Sequence, residues 1–167
     1  MIFVALLFSS LSLADTDITI SKGIYTPIDS ITVLERRRQS SLEQTLSASN
    51  ILVRTIAGSK LANQPHICSQ YALHHDKDQL FVTCDAKPTI AVQLNGTPTQ
   101  YPKDDGTMLD VIAVIQNNQI TQSFTFDNGM LKVIYTITPD CFWVEKTIYS
   151  TYLGMPLSIK ACYQHQQ

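Results

Sequence analysis

Ile120-Thr-Gln-Ser-Phe124-Thr-Phe126-Asp-Asn-Gly-Met-Leu131-Lys-Val133-Ile-Tyr135-Thr-Ile137 is the stretch on which the fold turns. Two alternating apolar runs flank Asn128-Gly129, the dipeptide favoured in two-residue hairpin loops of the primed type. Such a loop predicts pairing of 126 with 131, 124 with 133 and 120 with 137. Both apolar sets then share one face, and a one-residue slip would separate them. The arithmetic extends outward. A tight loop at Asn117-Asn118 pairs 115 with 120, 111 with 124 and 109 with 126, adding Leu109, Val111, Ala113 and Ile115 to that face. A loop at Pro139-Asp140 pairs 137 with 142, 135 with 144 and 131 with 148, adding Phe142, Val144 and Ile148. Three turns agreeing on one face predict a four-strand antiparallel meander over residues 107 to 150. A fifth strand, 157 to 163, follows the Gly154-Met155-Pro156 turn, and earlier strands are expected at 67 to 74, 79 to 84 and 89 to 95.

The opposite face of the meander is also partly apolar, carrying Met108, Ile112, Val114, Met130, Ile134, Trp143 and Tyr149. A sheet apolar on both faces calls for cover on both. One cover is helical. After a short alternating run from Asp15 to Ser21 and a break at Gly23, Thr26-Pro27-Ile28-Asp29 offers a cap, a first-turn proline and an acid, so a helix is expected to start there. Apolar residues recur at helical spacing from Ile28 to Ile56, as one helix or as two jointed near Gln39-Ser40-Ser41. The hairpins of residues 67 to 95 either cover the second face or extend the sheet until it curls.

Residues 1–14 are apolar and uncharged, and Ser12-Leu13-Ala14 ends them with the small residues of a signal-peptidase site, although no Lys or Arg precedes the run. A secretory leader is expected, with a single domain over 15–167, in a periplasmic or extracellular space where cysteines pair. Cys68, Cys84, Cys141 and Cys162 match no zinc spacing, so they are expected as two disulfides, with 68–84 and 141–162 favoured because each pair is local. The last two are not directly opposite in the expected hairpin, which calls for a bulge or a different partner for Cys162.

A net charge of −2 with only one basic run, Arg36 to Arg38, offers no field for nucleic acid. The catalytic sequence motifs are missing, and so is any phosphate loop. His74 and His75, adjacent on a strand, point to opposite faces, and His66 has no partner at a metal spacing. No metal and no cofactor is expected. Asn95-Gly96-Thr97 fits a glycosylation acceptor and equally a turn. Three polar-tipped residues fall on the inner face, Gln122, Tyr135 and Lys146. A buried lysine is costly unless it sits at an edge or in a polar pocket, so these three are the candidates for orienting an otherwise apolar ligand. Trp143, Tyr149, Tyr152 and Tyr163 cluster near the C-terminus, as core or as the anchors of a protein interface.

The expected fold is α+β, an N-terminal helical segment packed on a strongly bent antiparallel meander; the alternative is an all-β barrel of the lipocalin kind. The order of leader, helix, meander and cysteine pair resembles that of pilin-like proteins, but the long apolar helix is missing and no residue carries across. The expected function is an exported, non-enzymatic binding protein. Another protein is its leading partner, in the manner of inhibitors and immunity proteins. Carriage of a small apolar ligand in the curved sheet is the alternative, and an enzyme without a recognisable motif comes third.

Overall fold

The alternating segments form one continuous sheet in a computed structural model that describes residues 20–103, 106–116 and 118–166. The expected leader and most of the expected first strand lie outside the described residues. In chain order the elements are β1 Gly23–Pro27, α1 Ile31–Ser47, α2 Ile51–Leu61, β2 Tyr71–Asp76, β3 Gln79–Cys84, β4 Ile90–Gln93, β5 Thr99–Pro102, β6 Met108–Gln116, β7 Gln119–Phe126, β8 Gly129–Thr138, β9 Cys141–Ser150 and β10 Leu157–His165. The strands run antiparallel in the order β4-β3-β2-β1-β10-β9-β8-β7-β6-β5. A bridge between Asn95 and Val114 brings the β4 end of the sheet onto β6, so the sheet curls into a nearly closed barrel with two helices packed on it.

The outer turns of the meander have the expected registers: Ile115 opposes Ile120, Val111 opposes Phe124, Ile137 opposes Phe142 and Leu131 opposes Ile148. The central turn does not. Phe126 opposes Gly129 and Phe124 opposes Leu131, so the loop is Asp127-Asn128 and the register moves by two residues. Gly129 is needed inside the strand, because a Cβ there would run into the Tyr149 carbonyl oxygen of β9. An even shift preserves the faces. Val111, Ala113, Ile120, Phe124, Val133, Tyr135, Phe142 and Val144 are therefore all buried together inside the barrel.

The second face needs no cover, contrary to expectation, because curling makes it the outside of the barrel. Met108, Ile112, Val114 and Tyr149 are exposed there, as isolated apolar surface residues commonly are.

The N-terminal elements differ from the expectation in two ways. Gly23–Pro27 is a strand between β10 and β2, not a helix start. A residue before proline favours extended backbone, which suits Thr26 in a strand, and Gly23 lies where a Cβ would meet the His165 ring. The helix begins at Ile31, with the Ser30 hydroxyl accepting from the Val33 N–H. There are two helices, jointed at residues 48–50 and not near 39–41. Asn50 caps the second, accepting from the Val53 N–H. Ser41 does not break α1, because its hydroxyl donates to the Ser158 carbonyl of β10 at 2.8 Å.

Both disulfides join the expected partners. Cys68 sits just before β2 and reaches Cys84, which opposes Tyr71, across a Cα separation of 5.4 Å. Cys141 and Cys162 are diagonal neighbours on β9 and β10, with Cα atoms 5.7 Å apart, so neither a bulge nor another partner is required.

Candidate functional site

Strand alternation puts Lys146 of β9 on the inward face between Val144 and Ile148, opposite Val133 and Ile159. Its side chain lines an inner cavity of about 190 Å³ with Tyr71, Phe124, Val133 and Tyr135. The ammonium nitrogen donates to the His66 carbonyl at 2.6 Å, lies 3.4 Å from Cys68 Sγ and faces the Tyr71 ring at 5.5 Å from its centroid. The segment before β2 thus holds the lysine in place, and the Cys68–Cys84 bridge holds that segment to β3.

Among the described residues no carboxylate forms an ion pair with Lys146. Asp85 is the carboxylate whose charge acts on Lys146, but its two oxygens are taken by Ser69, Gln70 and His66. Burial acts to raise the Asp85 carboxyl, and the hydrogen bonds from Ser69, His66 and the Gln70 N–H outweigh it, holding the group below the usual range. Lys146 moves further. Burial first, and then the nearby Lys87 ammonium, push it down to about 7 against a weaker opposing pull from Asp85.

The other two inner-face candidates meet each other. The Tyr135 hydroxyl donates to Gln122 Oε1 at 2.7 Å, and Gln122 is fully buried. This leaves the Gln122 amide nitrogen and the Tyr71 hydroxyl without partners among the described residues. Burial raises the pKa of Tyr71 and Tyr135, so both phenols stay protonated. A buried donor without an acceptor is costly, and of the Gln122 amide nitrogen and the Tyr71 hydroxyl only Tyr71 belongs to a residue that lines the inner cavity.

A second cavity lies beside the first. Gln64 and Leu131 line both the inner cavity and this second one, a cleft of about 620 Å³ under α2, walled by Val53, Ile56, Leu61, Phe126, Ile148 and Leu153. No residue of α2 is fully buried, and Ile51 and Leu52 are 80% and 70% exposed. The cleft itself drew no attention from the sequence pattern. The only hint was the helical spacing that carries Val53 and Ile56.

The aromatic set is dispersed over the molecule. Tyr163 is core, donating its hydroxyl to the Cys68 carbonyl at 3.0 Å. Tyr152 edges the cleft, while Trp143 and Tyr149 lie on the outward side of β9, Trp143 with Lys160 over its ring. They do not form one surface. His74 stacks on Phe81 outside the barrel and His75 points inward, as adjacent strand residues must. His66, Cys68, Cys84 and Asp85 bring four possible ligand atoms within 4.8 Å, but both sulfurs are spent in the disulfide.

No protein-family model and no curated protein matches the sequence. Solved structures do match the fold. A secretory abundant heat soluble protein from Ramazzottius varieornatus aligns over 87% of this chain and 94% of its own, with a TM-score of 0.54 and 11% identity. A structure described as the REP1-NXSQ fatty acid transporter aligns over 87% of this chain and 96% of its own, with a TM-score of 0.50 and 10% identity. At such identities the likeness is one of fold: this chain shares with both a nearly closed antiparallel barrel.

Proposed function

We propose that the protein is a non-enzymatic carrier of a small amphipathic molecule held inside the barrel. The observation that carries this reading is an inner cavity that holds Lys146 and Tyr71, whose hydroxyl has no partner among the described residues, beside an apolar cleft with which it shares Gln64 and Leu131. The inner cavity is smaller than the roughly 300–1,000 Å³ usual for ligand sites, whereas the cleft under α2 falls within that range. A ligand would therefore place an oxygen-bearing head by Lys146 and Tyr71 and run its apolar tail past Leu131 into the cleft. The fatty-acid transporter with the same fold supports this class of ligand. Two disulfides support an exported protein. A protein partner of the inhibitor kind draws no support from the dispersed aromatics.

Titration with a dansyl-labelled fatty acid tests the reading. Saturable, one-site binding with a blue shift is expected, displaced by dodecanoate. Lys146→Met should weaken it by about tenfold or more, because a charge-assisted hydrogen bond is worth roughly 1.5–3 kcal/mol. Undiminished affinity in that variant would contradict the placement of the head group.

A further inference from the structure

A carboxylate is not the only head group this site suits. We propose that Lys146 captures medium- and long-chain aldehydes as an imine, making the barrel a reversible covalent trap for apolar carbonyl compounds. This rests on the carrier reading of the same cavity and extends it to a second ligand class.

Three observations converge. The Lys146 nitrogen opens on the cavity and is positioned by two acceptors from one side, the His66 carbonyl and Cys68 Sγ, so its remaining valence is directed away from them. No described carboxylate pairs with it to hold it as an ammonium ion, in contrast to Lys160, which has Glu145 at 4.0 Å and a place over the Trp143 ring on the outside. The groups around it are Lys87, which lines the same cavity and repels a second positive charge, and Asp85, whose oxygens are already engaged. The neutral amine is in consequence well populated at ordinary pH, as the depression to about 7 indicates. The Tyr71 hydroxyl in the cavity wall has no partner among the described residues and is kept protonated by burial, which makes it a donor available to a carbonyl oxygen.

The chemistry balances without a further reagent. The nitrogen lone pair attacks the carbonyl carbon, a C–N bond forms and the C=O π pair moves to oxygen. A proton passes from nitrogen to that oxygen to give a carbinolamine. The hydroxyl then takes up a proton from solvent and leaves as water while the nitrogen lone pair closes the C=N bond, and the resulting iminium nitrogen returns a proton to solvent. One amine and one aldehyde become one imine and one water. Water returning through the cleft reverses it, so release follows rewetting of the site.

The test uses decanal with sodium cyanoborohydride, which reduces an imine to a stable secondary amine, on the folded full chain at pH 7.5. Labelling is read by intact mass and peptide mapping. The expected result is a single adduct at Lys146, formed about tenfold or more faster than at any other lysine, since ordinary lysines with a pKa near 10.4 are almost wholly protonated at that pH. Lys146→Arg keeps a cation but cannot form the imine, and should lose this adduct; decanol, an alcohol of equal length, is expected to displace the dansyl probe from the unchanged protein. Decanol binding in the unchanged protein with labelling spread evenly over surface lysines would overturn the imine and leave the carrier standing. Failure of both decanol binding and Lys146 labelling would overturn both.

Discussion

The two helices follow one another in the chain and are held in opposite ways. α1 is pinned: Leu34 is fully buried within the barrel core, Leu42 joins Ile148 and Leu157 in a second cluster, and Ser41 and Thr45 donate to the Ser158 and Pro156 carbonyls. α2 buries no residue fully and turns Ile51 and Leu52 to the outside while Val53 and Ile56 roof the cleft. Its attachments include a cap at Asn50, hydrogen bonds from the Arg54 guanidinium to the Ser47 and Ser49 carbonyls, packing of Leu61 against the Leu42 cluster, and Arg38, which reaches from α1 to the Ala62 carbonyl. Weakly packed segments open at lower free energy than the core. One helix is part of the foundation and the other is the cover of a binding site.

The contrast can be broken from either side. Leu34→Ala should destabilise the fold by about 2–5 kcal/mol in urea unfolding, the range for truncating a fully buried leucine. A small loss would show that α1 is no better anchored than α2. Next comes the tie that holds the segment over Lys146. Replacing Cys68 and Cys84 together by alanine opens a loop of 16 residues and should cost roughly 3 kcal/mol. Loss of Lys146-dependent probe binding at pH values where the variant remains folded is also expected, because the His66 carbonyl would no longer be held against the ammonium.

Lys146 itself gives a pH signature. Its folded pKa lies below the unfolded one, so the native state gives up a proton that the unfolded state retains. As pH falls from about 10.5 to about 7 the unfolded state is increasingly favoured, and below about 7 the penalty is constant. Lys146→Met should therefore be more stable than the unchanged protein near neutrality, by a margin that shrinks as pH rises towards 10. A margin independent of pH would mean that the lysine is not buried without a counter-charge. The smallest effect belongs to the cover. Ile56→Ser should change stability by no more than about 0.5 kcal/mol, yet weaken the dansyl probe several-fold. A variant that loses stability but keeps full affinity would reverse the roles assigned to the helices.

Much of this was legible in the sequence because strand alternation is strict. Val111, Phe124, Val133 and Phe142 had to share a face once two of the turns were placed, and an error of two residues at Asp127-Asn128 left that face intact. Gln122, Tyr135 and Lys146 were visible for the same reason, as polar tips among apolar neighbours. What could not be seen were features decided by distant contacts. Gly23 and Gly129 are required by the approach of His165 and Tyr149 from other strands, and a turn glycine and a close-approach glycine look alike in sequence. Tyr71, whose phenol has no partner among the described residues, lies on a strand whose inward face is set by pairing with β1 and β3. The second face gave a misleading signal, since apolar outward residues such as Ile112 and Val114 suggest a covering layer that a barrel does not need.

The central claim is that the head of an amphipathic ligand meets Lys146 inside the barrel. Proton–carbon NMR of protein carrying ¹³Cε-labelled lysine, titrated with dodecanoate, addresses it directly. The account predicts that the Lys146 signal shifts in a saturable manner and that its titration midpoint rises from about 7 as the carboxylate becomes its counter-ion. Saturable binding that leaves the Lys146 signal and its midpoint unmoved would contradict it.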